Sequence, residues 1–171
     1  EEQAHQLALL AHQAGAAPVV AADADAAGQQ AAERAYWLLT QHGLTPASVQ
    51  WQAGSDPADT LARTGPHVLR AALEASAPLS QQLLDYRLRS EVGLEGLRRS
   101  VAVVAAGSPD RWDTDSQRIA DTMRVPLPVV RRELATALHD RAHDPRAVTQ
   151  AQIRTRPTPT VPAPPPARDP H

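Results

Sequence analysis

Apolar residues recur at helical steps over the first fifteen positions. Leu7, Leu10, Ala11 and Ala14 predict a helix across 1–15, with Gly15 as its stop. A short continuous apolar run follows, Pro18-Val19-Val20-Ala21-Ala22, the pattern of a buried parallel strand. A long helix is predicted from Ala26 to about Gln41. Its inner face is marked by Ala27, Ala31, Ala35, Leu38 and Leu39, and Gly43 ends it. Residues 48–52 (SVQWQ) are a second strand candidate. The loop Gly54-Ser55-Asp56-Pro57-Ala58-Asp59 leads into a helix that starts at Pro57, a favourable first-turn residue. Gly65-Pro66 breaks that helix, and another runs to about Ala75.

After Pro78 the period is helical throughout, with helices predicted over 79–89, 94–106, 113–123 and 127–141. Asp113 or Thr114 is the expected cap of the third of these. The stretch from Thr155 to His171 holds seven of the 16 prolines and is expected to be extended and disordered.

Two strands joined by one helix pair in parallel through a crossover, an α/β unit that receives ligands beyond the carboxyl ends of its strands. The expected organisation is therefore an α/β part over 1–77, an all-helical subdomain over 78–144 and a Pro-rich tail over 145–171.

Composition narrows the chemistry. No Cys is present, which excludes disulfides, thiolate-bound zinc and thiol catalysis in these residues. There are 33 Ala and no Phe, so the core relies on close backbone approach more than on large side chains. All 17 basic residues are Arg, and against 19 acids they leave a net charge of −2, which excludes nucleic-acid binding by bulk charge alone. That charge is uneven: residues 1–60 carry −6, residues 61–112 carry +2, residues 113–144 carry −1, and residues 145–171 carry +3. An acidic N-terminal part suits a divalent metal better than it suits phosphate directly. No apolar run approaches the roughly 18 residues of a membrane helix, and no signal peptide is seen, so a cytoplasmic location without membrane contact is expected. The chain begins Glu1-Glu2 and not with Met, and is expected to be part of a longer protein.

Two clusters carry candidate chemistry. Asp23-x-Asp25-x-x-Gly28 lies where an apolar strand opens. Two carboxylates at that spacing can both face one divalent cation, and Gly28 lets the next helix start close to the strand. The plainer role of such Asp residues is to cap helices and fill turns. The second cluster is Gly54-Ser55-Asp56-Pro57-Ala58-Asp59, where Asp56 is either a helix cap or a further metal ligand.

Taken in order, VVAADADAAGQQAAERAYWLLTQHG, VQWQAGSDPADTLARTG and LRAALEASAPLSQQLLDYRL resemble the later part of the TOPRIM domain of bacterial DnaG-type primases, over roughly residues 6–90. The resemblance implies an incomplete TOPRIM-type, Rossmann-like parallel sheet followed by helices. It implies RNA primer synthesis on a single-stranded DNA template from nucleoside triphosphates, with Mg²⁺ or Mn²⁺ as cofactor and a replicative helicase as a possible partner. It implies catalytic and metal-ligand roles for Asp23, Asp25 and Asp56, with Asp59 as a further ligand, and turn roles for Gly28, Gly54 and Pro57. The sequence departs from the family in three places, the first being that the family's N-terminal zinc module and basic nucleotide-binding core are absent. The family's Glu-Gly-x-x-Asp strand is absent, so these residues alone are expected to be inactive. The second acid of the loop is displaced by one, at Asp59. Alternatives are another TOPRIM enzyme, a topoisomerase or an OLD-type nuclease, or a non-catalytic DNA-binding module.

That last alternative rests on residues 117–138, two helices joined at Arg124-Val125-Pro126 with Ala120, Met123, Val125, Val130, Leu134 and Leu138 inward. As a helix-turn-helix, it places Arg124, Arg131 and Arg132 toward DNA. A second Arg group, Arg87, Arg89, Arg98 and Arg99, is either a solvated helix face or a nucleic-acid phosphate track. His139 and His143 stand four apart on one helix face and are expected to be surface residues.

Overall fold

The computed structural model describes residues 2–22, 25–49 and 57–154, with side chains for all of these except 57–60. The chain opens with α1 (Glu2–Ala14), β1 (Val19–Val20), α2 (Ala26–Thr40), β2 (Ala47–Ser48), α3 (Pro57–Thr64) and α4 (Pro66–Glu74). A short strand, β3 (Ala77–Pro78), then precedes α5 (Leu79–Ser90), α6 (Gly93–Ala106), α7 (Trp112–Met123), α8 (Leu127–His143) and α9 (Pro145–Arg154). A 3-10 turn at Pro109–Arg111 leads into α7.

The sheet has the order β1-β2-β3. β1 and β2 are parallel, with Val19 opposite Ala47 and Val20 opposite Ser48. β3 is antiparallel to β2, pairing Ala47 with Pro78 and Ser48 with Ala77. The sheet is thus small and mixed, not purely parallel. Pro78 is tolerated because it sits on an edge strand, where no ladder donor is needed from it.

The main core joins α2 to the helical half. Ala32, Tyr36 and Trp37 pack with Leu79, Leu83, Leu84, Leu97, Val101, Ile119, Val130 and Leu134. The inner face of α2 is Gly28, Ala32, Tyr36, Trp37, Leu39 and Thr40, rotated from the one predicted, and Ala27 and Ala31 are exposed. The prediction followed the Ala and Leu spacing; the two large aromatics gain more by burial and set the rotation. On α1, Ala8 and Ala11 face Leu39 and Leu44, while Leu7 and Leu10 point outward.

The helix pair is buried as expected: Ala120, Val130 and Leu134 are enclosed, and Met123, Val125 and Leu138 pack against the same core. Arg124 closes α7 in the left-handed region at φ 55°, the place ordinarily given to Gly. The tail expected from residue 145 is corrected over its first part, because 145–154 form α9. Asp144 Oδ1 accepts from Ala147 N at 2.8 Å, and Pro145 opens the helix, a combination of cap and first-turn residue. Residues 155–171 lie outside the described residues.

Candidate metal and nucleic-acid site

Parallel pairing sends the chain out of β1 and out of β2 at the same edge of the sheet. Asp25 follows β1 at that edge. Its backbone is extended (φ −115°, ψ 178°), so it stands just outside α2 as the N-cap. Its Oδ1 accepts the Gly28 backbone N–H at 2.6 Å, which supplies one of the helix's otherwise unpaired first-turn donors. Asp25 is exposed, and its Oδ2 has no hydrogen-bond partner among the described residues. Gly28 is buried in the first turn, as a close helix start requires.

The other predicted ligands are covered unequally. Asp23, Gly54 and Asp56 lie outside the described residues. Pro57 is the first residue of α3 and Asp59 is in the first turn of that helix. Among the described residues, no three His, Asp or Glu side chains gather around a common point. What the described part contributes is one oxygen donor, Asp25, with a free oxygen at the sheet edge. A carboxylate oxygen is the kind of donor taken by a hard cation such as Mg²⁺ or Mn²⁺.

The Arg group of α5 and α6 separates into two kinds. Arg87 is 1% exposed. Its Nη2 donates to Glu33 Oε1 of α2 at 2.5 Å, its Nη1 donates to the Arg99 carbonyl, and its guanidinium lies 5.5 Å from the Trp37 ring centre. Burial pulls the Arg87 pKa below the usual guanidinium value, with the Glu33 carboxylate opposing that shift. Arg99 is also buried, with its Nη1 3.1 Å from Glu91 Oε1. Burial raises the Glu91 carboxyl above its ordinary value, and Arg87 and Arg99 pull it back. Arg87 and Arg99 are therefore buried and paired within the protein, whereas a phosphate track needs exposed cations. A partner-bound buried Arg and an exposed one look alike in sequence. Arg89 is exposed in the last turn of α5. Arg98 is exposed and lies 3.2 Å from Glu133.

In the helix pair, α8 turns its apolar stripe onto the core, and Arg131 pairs with Asp113 at 3.1 Å. Arg124 and Arg132 are exposed.

Residues far along the chain hold α2 in place, and sequence reasoning missed all of them. Tyr36 donates its hydroxyl to the Val103 carbonyl at 2.8 Å, and burial raises its pKa well above the ordinary phenol value. Thr149 of α9 donates to the Trp37 carbonyl at 3.3 Å, and Arg141 of α8 donates to the Thr40 carbonyl. These last two bonds reach carbonyls at the C-terminal end of α2. Pairings between residues 37 and 149 leave no local signal in a single sequence.

No helix among the described residues is long and apolar enough to cross a membrane. No curated protein matches this chain. Among solved structures, the Aquifex aeolicus primase (zinc-binding and RNA polymerase domains) aligns with a TM-score of 0.48 and 23% identity. The alignment covers 66% of this chain and 28% of that one, so this chain spans under a third of that protein's length. The family described as Toprim-like matches residues 1–61, a span that holds β1, α2, β2 and the four acids Asp23, Asp25, Asp56 and Asp59. Residues 1–61 are thus a Toprim-like domain, joined to a mostly helical region.

Proposed function

We propose that the chain is part of a DNA primase that makes RNA primers on single-stranded DNA by metal-dependent nucleotidyl transfer. The observation that carries this reading is the shared sheet edge: β1 and β2 run parallel, so the chain leaves both on one side, and Asp25 stands there after β1, within the Toprim-like span. In this reading Asp23, Asp25, Asp56 and Asp59 hold Mg²⁺ or Mn²⁺. When bound, the cation supplies positive charge next to the triphosphate and the primer 3′ hydroxyl. The hydroxyl loses its proton to water as its oxygen forms a bond to the α-phosphorus, and the bond from that phosphorus to the bridging oxygen breaks so that pyrophosphate leaves.

The chain's own residues position those carboxylates. Asp25 is held by its bond to Gly28 N. The helix behind it is held by Glu33–Arg87, Tyr36–Val103 and Thr149–Trp37. The exposed Arg89 and Arg98 are assigned to template phosphates, a salt-dependent contact.

Two experiments test the reading. In the protein that contains this chain, Asp23→Asn with Asp25→Asn should abolish template-dependent dinucleotide synthesis, with circular dichroism unchanged. Retained synthesis would refute the assignment. In the 171-residue chain itself, Mn²⁺ binding followed by electron paramagnetic resonance should weaken at least tenfold in the same double variant.

A further inference from the structure

We infer that His139 and His143 form a second metal site, a bidentate imidazole chelate for a transition-metal dication on the exposed side of α8. Residues four apart on a helix lie on successive turns with their side chains adjacent. Here the two rings have in fact come together: their centroids are 4.1 Å apart and the planes are inclined at 41°. Both residues are exposed, so a hydrated ion reaches them without any part of the fold opening.

The tautomer is arranged for ligation. His143 Nδ1 lies 3.0 Å from the His139 backbone carbonyl oxygen. A carbonyl only accepts, so in the neutral ring this contact puts the proton on Nδ1 and leaves Nε2 as the lone-pair nitrogen. A ring nitrogen bonded to a backbone carbonyl while the other nitrogen is free is the arrangement that orients metal-ligating histidines. Two nitrogen donors favour Cu²⁺, Ni²⁺ or Zn²⁺ over Mg²⁺, which takes oxygen.

The neighbouring carboxylates do not close the site. Asp144 Oδ1 is used by Ala147 N, and among the described residues no third His, Asp or Glu gathers at these rings. Water or a small ligand therefore fills the remaining positions, unlike the closed shell of a structural zinc site. The location gives the site a structural consequence. It spans the last turn of α8, next to the Asp144–Pro145 corner from which α9 returns to hold the Trp37 carbonyl. A bound ion ties that turn together and stiffens the corner.

The site is independent of the proposed carboxylate centre and is probed with different ions. Zn²⁺ and Cu²⁺ are titrated into the full 171-residue chain and followed by imidazole NMR and by calorimetry. One equivalent should bind at micromolar metal, shifting the His139 and His143 resonances. His139→Gln, His143→Gln and the double variant should each weaken binding at least about tenfold, with circular dichroism unchanged because both side chains are exposed. The variant His5→Gln/His12→Gln/His42→Gln, which removes the separate histidine group at the α1–α2 contact, should bind as the parent does. Equal binding by the double variant, loss of binding in the triple variant, or no saturable binding at millimolar metal would each overturn the inference.

Discussion

Asp25 is the N-cap of α2 and, in the proposed function, a metal ligand, and one pair of substitutions separates the two roles. As N-cap, it contributes a hydrogen bond from Gly28 N at 2.6 Å. As the proposed ligand, it would contribute a negative charge and its second carboxylate oxygen. Asp25→Ala removes both. Replacing an N-cap Asp by Ala costs about 1 kcal/mol, within a range of roughly 0.5–2. The loss is confined to the first turn of α2, because the core residues Ala32, Tyr36 and Trp37 lie further along. For a chain of this size about 1 kcal/mol lowers Tm by about 2–4 °C. Asp25→Asn keeps an oxygen that caps as well as Asp does. It loses only the favourable interaction of a carboxylate with the helix N-terminus, about 0.3–1 kcal/mol. Thermal unfolding and Mn²⁺ binding are measured on both variants. Asn should be nearer to the parent than Ala in Tm, and both should bind Mn²⁺ at least tenfold more weakly. If Asn is as unstable as Ala, the cap bond is not what matters at this position. If Asn binds Mn²⁺ like the parent, Asp25 is not a ligand.

Three further outcomes are expected. Arg87→Ala should destabilise by about 3–5 kcal/mol in urea unfolding, since it leaves Glu33 beside the core without its cation and removes the bond to the Arg99 carbonyl; a loss under about 1 kcal/mol would refute the buried-pair argument. Arg124→Gly should stabilise by up to about 1 kcal/mol, because Gly adopts φ 55° without the steric cost that Arg bears there; a lower urea midpoint would count against it. His42 has its pKa lowered from 6.5, first by burial and then by His5, Arg146, His12 and the N-terminal amine. The folded state disfavours protonation, so the contribution of His42 is present above pH 6.5 and is lost as pH falls through its lower folded value; His42→Gln should flatten that part of the urea midpoint against pH.

The local grammar of the chain was readable without any structure. The apolar run at 18–22, the helical periods after Pro78, the break at Gly65-Pro66 and the acids after each strand are all short-range patterns, and the corresponding elements formed within a few residues of where they were expected. So was the placement of Asp25 at the mouth of a strand, because a strand, an acid and a Gly three residues on are consecutive in sequence. Rotation and partnership were decided by tertiary packing. Alanine spacing pointed to one face of α2, but burying Tyr36 and Trp37 outweighed it, since each aromatic removes far more apolar area from water than an Ala does. The strand at Ala77–Pro78 had no alternating pattern to announce it and exists because β2 offers it an edge. Arg87 and Arg89 are two residues apart in one helix; the helical turn sends one to Glu33 and Trp37 in the core and the other to solvent. A cation's function depends on which of those places it occupies, and that is determined by residues fifty or more positions away.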